Sequence, residues 1–547
     1  MRTQGSNPPG CTESLSWNHE AIQSDPHLNS KKREGQVDPS PQVAHLNQPA
    51  KQRLAPFYAV VVAAALTGCA VGPDYRRPAS PEVASYTAGK LPAETAAAPG
   101  TGGGTQRFMP GGEIPARWWE LFRSEALDRW IREGLANSPT LAAAEATLRR
   151  SQELLRARSG ELLPSVDANV SASRQKPSGA SFGQSTAQTN PFTLYNASVD
   201  VSYNLDLFGK TRRELEALQA QVDYERFQLE GAYMTLASNI VTAALQEASL
   251  RGELKATRDI LATQEEQLAI IEKQFELGGI SRTDVLAQRA SLAQSRAAVP
   301  PLEKRIAQTR HLLAVLAGRF PGDTADLPEF VLEDLRLPEE LPVSLPSSLV
   351  RQRPDIRSAE ELLHAASATV GVATANLYPQ ITLSATYGTA ASRTGDLFSP
   401  GSAVWGISAG LLQPLFHGGT LEAQRRATVA GFDQAAAQYR ETVLQAFRDV
   451  ADVLRALEYN AVTLRAQADA EAAAADTLEI AKKQVFFGAT SQLSLLNAQR
   501  QYFLARILLV RVQSLRFADT AALFQALGGG WWNREPENTT PAEAANR

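Results

Sequence analysis

Side chains able to do covalent chemistry are sparse in this sequence. Two cysteines occur in 547 residues, Cys11 and Cys69, enough for one disulfide and too few for an all-cysteine metal site. Three of the six histidines (His19, His27, His45) fall in a Pro-, Ser-, Asn- and Gln-rich first fifty residues. The others, His311, His364 and His417, are widely separated and show no HxxxH or HExxH spacing. A zinc site therefore lacks a ligand set. Gly209-Lys210-Thr211 lies where a strand passes into a helix, the place of a phosphate-binding loop. That loop also needs a glycine five residues earlier, and position 204 is Asn204. No GxSxG elbow organises a serine nucleophile. The patterning predicts neither an enzyme nor a metal site. With 54 Lys plus Arg against 58 Asp plus Glu, the chain also lacks the basic excess that a nucleic-acid partner requires.

Cys69 is the cysteine with a chemical context. Lys51 and Arg53 precede a 13-residue apolar run, Leu54 to Leu66, which ends Leu66-Thr67-Gly68-Cys69. A short basic region, an apolar stretch too short to span a bilayer and small residues before the break read as a secretory signal. Cysteine directly after Leu-x-Gly resembles the bacterial lipobox. The resemblance implies that Cys69 becomes the acylated first residue of the mature chain, with a covalent lipid as its only attached group. Ala70 rather than Asp in the next place implies sorting to the outer membrane. A signal is recognised near a true N-terminus, so residues 1–50 are expected to be an extension preceding the real start, near Val43 or Leu46. Residues 51–68 are then the signal peptide. Residues 69–114, rich in Pro, Gly and Ala, read as an extended tether from the lipid.

Order is expected from Pro115, where the chain begins to repeat itself. Asn137-Ser138-Pro139 opens an Ala- and Leu-rich helix, and Arg353-Pro354-Asp355 opens another at an offset of 215. Glu161 to Val166 matches Asn376 to Ile381 at the same offset. Leu207-Phe208-Gly209 aligns with Leu415-Phe416 and Gly418, and Gly278-Gly279-Ile280-Ser281 aligns with Gly488-Ala489-Thr490-Ser491. These landmarks define two copies of one unit, residues 115–319 and 351–530. A proline-rich segment, 320–350, joins them, and 531–547 reads as a flexible tail.

Each unit reads helix, strand, loop, strand, long helix, turn, helix. Val166, Ala168, Val170 and Ala172 alternate with polar residues, as do Ala197, Val199, Val201, Tyr203, Leu205 and Leu207. In the second unit Ile381, Leu383, Ala385 and Tyr387 alternate, followed by Trp405, Ile407, Ala409 and Leu411. Period two over about ten residues suits a membrane-spanning barrel strand, and also a half-buried soluble hairpin. Four strands cannot close a barrel alone, so in lipid several chains must share one. From Thr420 to about Phe487 no proline intervenes, and Phe432, Ala436, Tyr439, Val443, Ala446, Val450, Val453 and Leu457 step by four and three. That is a coiled-coil seam. The matching stretch, Thr211 to Phe275, ends with Ile260, Gln264, Leu268, Ile271 and Phe275 at similar spacing. Each would be on the order of 100 Å long.

The assembled features resemble the TolC-like outer membrane factor family, in particular its lipoprotein branch serving RND-type efflux pumps. The similarity spans Leu66 to Trp531. It rests on Leu66 to Tyr75, Trp118-Trp119-Glu120-Leu121-Phe122, Asn137-Ser138-Pro139, Pro300-Pro301-Leu302 and the paired glycine turns. The resemblance implies a mainly α fold with a transmembrane β-barrel. A homotrimer would build a 12-strand barrel and a 12-helix periplasmic tunnel, each chain giving four strands and two long plus shorter helices. It implies a passive outer membrane channel of a tripartite efflux system, coupled through a periplasmic adaptor to an inner-membrane RND-type transporter. Residues 320–350 would join an equatorial belt.

The tips Gly278, Gly279, Ser281, Gly488 and Ser491 would dock the adaptor. Glycine is also simply needed there to reverse two helices. Asp284, Leu493, Ser494, Asn497 and Arg500 would form a periplasmic gate, closed by Leu493 packing and by hydrogen bonds or ion pairs among Asp284, Asn497 and Arg500. Relatives carry acids at the places of Ser494 or Asn497, so less cation block is expected here. A type I secretion channel shares this fold, and a non-channel lipid-anchored coiled-coil scaffold is a further alternative.

Overall fold

The computed structural model of the chain describes residues 70–176, 178 and 190–534. Cys69, the signal segment, the N-terminal extension and residues 535–547 lie outside the described residues. Among the described residues six strands run β1 (Arg107–Pro110), β2 (Ser165–Gln175), β3 (Phe192–Leu205), β4 (Glu340–Val343), β5 (Gln380–Ala391) and β6 (Ala403–Leu412). The α-helices are α1 (Glu125–Asn137), α2 (Pro139–Ser159), α3 (Lys210–Glu276), α4 (Arg282–Leu316), α5 (Pro346–Gln352), α6 (Pro354–Ala375), α7 (Thr420–Phe486) and α8 (Gln492–Ala526). The duplication is visible in the lengths: α3 and α7 have 67 residues each, and α4 and α8 have 35 each. At about 1.5 Å per residue the long pair extend about 100 Å.

Local chemistry sets these boundaries. Pro139 and Pro354 occupy the first turns of α2 and α6, where a missing N–H costs nothing. The Ser138 hydroxyl accepts from Leu141 N. Both long helices start behind a left-handed glycine, Gly209 at φ 77° and Gly419 at φ 83°, which turns the chain out of a strand.

On α7 the buried stripe is Tyr439, Val443, Ala446, Val450, Leu454, Leu457, Ala461, Leu464 and Ala468. Its eight steps advance 29 positions, about 3.6 per turn, the period of a straight helix rather than a heptad seam. Leu454 therefore takes the buried place expected for Val453, which moves to the flank of the core. In the first copy Ile260, Gln264 and Ile271 are buried as expected, whereas Phe275, beside the turn at the end of α3, is exposed.

The main core gathers around Trp118. Trp118 stacks on Phe524 at 5.4 Å, and Trp130, Ile131, Ile240, Leu349 and Leu457 close around them. Residues 320–350 contribute Leu327, Phe330, Leu332, Leu335 and Leu341 to this cluster, and β4 pairs in parallel with β1. The segment 70–114 is not a free tether. It lacks regular structure apart from β1, yet Thr95 and Gln106 are buried and Tyr86 Oη donates to Ser344 O. Arg516, fully buried, donates to Leu457 O, Thr95 Oγ1 and Gly104 O. Composition misread this segment because its anchoring is polar and irregular, without apolar periodicity. The start of the expected tail is likewise packed: Trp531 Nε1 donates to Gln352 O, and Asn533 Nδ2 donates to Ile114 O.

Candidate functional site

The four long strands form one antiparallel sheet in the order β2-β3-β5-β6, with the two hairpins joined by β3 and β5. Its register largely sorts side chains by polarity over the central rows. Val166, Val201, Ala385 and Ile407 form one row, and Ala168, Val199, Tyr387 and Trp405 the next, all on one face. The opposite face carries Asp167, Asp200, Thr386 and Gly406 in one row and Asn169, Ser198, Gly388 and, at the start of β6, Val404 in another. In a soluble sheet the apolar face would be covered. Here Val170 and Ile407 are each 80% exposed, and Trp405 is 73% exposed. Every residue of β2 and of β6 is exposed, so both edges present unpaired backbone groups along ten or more residues. Such an edge is tolerated in lipid only when another strand closes it. This excludes the half-buried soluble hairpin.

Polar groups on the inner face are internally bonded. Asp200 accepts from Thr386 Oγ1 at 2.6 Å and from Ser198 Oγ at 3.0 Å. Asp167 stands directly opposite Asp200. Among the described strand residues this face has no Lys or Arg.

At the far ends of the long helices each turn is built by backbone geometry. Gly278 (φ 77°) and Gly488 (φ 70°) are left-handed. Gly279 N donates to Gln274 O, and Ala489 N donates to Gln484 O, closing the last helical turn in each copy. Ser281 and Ser491 then cap the returning helices. In the first copy Asp284 completes a capping box, its Oδ2 accepting from Ser281 N at 3.2 Å and Ser281 Oγ at 2.7 Å. Ser494 holds the matching place in the second copy, with its hydroxyl 3.1 Å from that of Ser491.

The gate residues are only partly gathered. Leu493, Asn497 and Arg500 lie on one exposed stripe of α8, continued by Leu504 and Leu508, while Leu495, Leu496, Ala498 and Gln499 face inward. Within the chain Asp284 bonds to neither Asn497 nor Arg500; its carboxylate is engaged at its own helix start. The expected contact fails inside one chain because the residues sit on different hairpins, whose return helices α4 and α8 barely meet.

Sequence reasoning missed the lock on the chain's first described residues. Arg213 donates to Asp74 Oδ1 at 2.7 Å and to Val71 O, and also pairs with Glu216. Tyr75 stacks on His364 at 4.3 Å, and His364 sits between Glu216 and Glu361. Burial pushes the Glu361 carboxyl above its ordinary range, with the nearby His364 opposing. The signal was available in Gly72-Pro73-Asp74-Tyr75, a polar motif inside an otherwise featureless stretch. Among the described residues no group of three or more His, Cys, Asp or Glu is placed to hold a metal. Nor is any described helix long and apolar enough to cross a membrane.

Comparison with known proteins agrees with this geometry. The family model described as outer membrane efflux protein matches residues 130–319 and 345–529. The chain is 31% identical over 481 residues to the probable efflux pump outer membrane protein TtgC of Pseudomonas putida, covering 87% of this chain and 95% of that protein. It is 31% identical over 436 residues to the pyoverdine export outer membrane protein OpmQ of Pseudomonas aeruginosa, covering 78% and 90%. The solved outer-membrane channel OprN superposes with a TM-score of 0.76 at 29% identity, covering 85% of this chain and all of that one. The chain belongs to the outer membrane efflux protein family and has the TolC-like channel fold of the cell outer membrane.

Proposed function

We propose that three copies of this chain close one 12-strand barrel and one 12-helix periplasmic tunnel. Small molecules then cross the outer membrane passively, delivered by an RND-type inner-membrane transporter through a periplasmic adaptor. The observation that carries this is the uncovered apolar face of a four-stranded sheet with two open edges. A periplasmic scaffold has no use for such a sheet. The names of the similar proteins, an efflux pump component and a pyoverdine exporter, support export as the task and leave the cargo open. The lipobox motif supports acylation of Cys69 as a second membrane attachment, checked by mass analysis of the mature N-terminal peptide.

The exposed stripe Leu493, Asn497 and Arg500 supports closure of the periplasmic entrance between copies rather than within one. Divalent block of single channels that is strong and survives Asp284→Ala would argue against a gate with few acids. The central test is direct. Purified protein should run as a heat-sensitive trimer and conduct ions in planar bilayers; a monomer without conductance would exclude the reading.

A further inference from the structure

The charges of the four-stranded sheet are sorted by face. Its strands hold three charged residues: Asp167 and Asp200 on the inner face, and Arg174 alone on the apolar one. Arg174 stands at the loop end of β2, in register with Thr193 of β3. Carried two residues past Ala391 of β5, the neighbouring register sets Arg393 on the other side of Thr193, on extended backbone with φ −131° and ψ 144°. Lys176 follows Arg174 by two residues and keeps its parity. All three cations are exposed, and none is paired with an acid among the described residues. Asp396, the acid closest in sequence to Arg393, donates its N–H to Arg393 O and forms no ion pair with that side chain.

Their depth is as specific as their face. On β3 the outward series runs Tyr195, Ala197, Val199, Val201, Tyr203 and Leu205. From Tyr195 to Leu205, at about 3.4 Å per residue on a strand tilted by about 45°, this covers about 25 Å of membrane thickness, the height of a barrel's apolar band. Arg174, Thr193 and Arg393 form the next row outward, where acyl chains give way to headgroups. Tyr195 lies directly beneath that row, in register with Ala172 and Ala391, as an aromatic at an interface does. A cation on the lipid-facing surface is costly at mid-membrane and tolerated at this level.

Strand direction decides the leaflet. The chain enters β2 from α2 and leaves β3 for α3, so the row lies at the end of the sheet remote from the long helices. On the proposed function, on which this inference rests, those helices stand in the periplasm and the row meets the outer leaflet. We infer that the row of Arg174, Thr193 and Arg393 is a binding site for a lipopolysaccharide headgroup, a phosphorylated glycolipid whose acyl chains lie along the apolar face.

Charge and spacing select this lipid. Arg174 and Arg393 are separated by two strand spacings, about 10 Å. That suits a head carrying two phosphates on a sugar pair better than the single phosphate of a diacyl phospholipid. A planar guanidinium holds phosphate through two parallel N–H bonds, and Thr193 between the two offers a hydroxyl to the sugar. Lys176, two residues further along β2, adds a third positive charge. The inner face, with Asp167 and Asp200 and no described base, shares none of this anion preference.

The test reads lipid on the purified full chain. Protein extracted from outer membranes in mild detergent and freed of loose lipid by gel filtration should carry hydroxy fatty acids, the marker of lipopolysaccharide. Arg174→Gln with Arg393→Gln should lower that amount about tenfold, the worth of one charge-assisted bond. Arg174→Lys should retain most of it. Lys304→Gln with Arg305→Gln, the same loss of charge at exposed positions of α4, should change nothing. Equal retention by parent and rim variant, or none by the parent, would overturn the site. Retained diacyl phospholipid that falls with the rim variants would overturn the assignment to lipopolysaccharide. A second measurement needs no variant: the parent in phospholipid nanodiscs should bind added diphosphorylated lipid A about tenfold more tightly than the monophosphorylated form. Equal binding would overturn the two-point grip. Failure of this inference leaves conducting, heat-sensitive trimers, whereas failure of the channel reading removes trimer and conductance from the parent itself.

Discussion

Gly72 lies directly against Gly371: a Cβ at Gly72 would come within 2.5 Å of Gly371 Cα, and a Cβ at Gly371 within 2.9 Å of the Arg213 side chain. Gly72 also has φ 99°, a conformation that other residues adopt with strain. Either alanine therefore pushes apart the contact that holds the chain's first described residues to α3 and α6. Gly371→Ala and Gly72→Ala should each cost about 1–3 kcal/mol locally. Limited proteolysis should show faster cleavage between residues 70 and 114, with cleavage in the long helices unchanged.

Arg516 is the deeper fastening. Burial lowers its pKa to about 10, so it stays protonated at neutral pH while serving three oxygen acceptors. Arg516→Met keeps the bulk and orphans those acceptors. At about 1 kcal/mol for each lost bond the variant should be roughly 3 kcal/mol less stable. Thermal melting of the helical signal, with proteolysis near Thr95 and Gly104, would measure it; an unchanged melt would show that water replaces the guanidinium.

A pH effect follows one turn away. Burial raises the Asp519 carboxyl above its ordinary range, with the amide of Asn460 at 2.8 Å and the Arg516 charge opposing. The folded state then holds this proton more tightly than the unfolded state. Its contribution to stability is full below the ordinary carboxyl pKa and is lost as pH rises through the raised value. Asp519→Asn should melt higher than the parent at neutral pH, and the difference should shrink on acidification. A gap that widens in acid would reverse the assignment.

Asp167 and Asp200 face one another across β2 and β3 on a surface without a described cation. Like charges in register cost stability, and in an assembled barrel they set a negative potential along the conduit. Asp167→Asn with Asp200→Asn should shift the reversal potential in a salt gradient toward lower cation preference, severalfold in permeability ratio. At position 200 the amide oxygen can keep the Thr386 bond and the amide nitrogen can donate to the Ser198 hydroxyl, so assembly should be unaffected.

Much of this architecture was legible before any coordinates. The long helix expected from Thr420 to about Phe487 spans Thr420–Phe486, because left-handed Gly419 and Gly488 bound it and no proline breaks it. The strands were legible because a face that meets lipid must alternate. Leu454 in place of Val453 shows the limit of pattern reading: a heptad and a straight helix diverge only after several turns. The packed run from Ala70 to Ile114 was invisible, since its bonds depend on Arg213 and Arg516 reaching oxygens far away in sequence. Asp284, Asn497 and Arg500 share no contact in one chain, so their spacing alone could not arrange them.

The open edges of β2 and β6 carry a genetic consequence. A barrel wall completed only by neighbours makes every copy answerable for the whole pore, so a variant with one spoiled edge still enters assemblies through its intact one. With equal amounts of normal and edge-defective chains, about one three-chain assembly in eight is free of the defect. Alleles damaging Leu411 or Val170 should behave as dominant, whereas those that unfold the chain outright should be recessive.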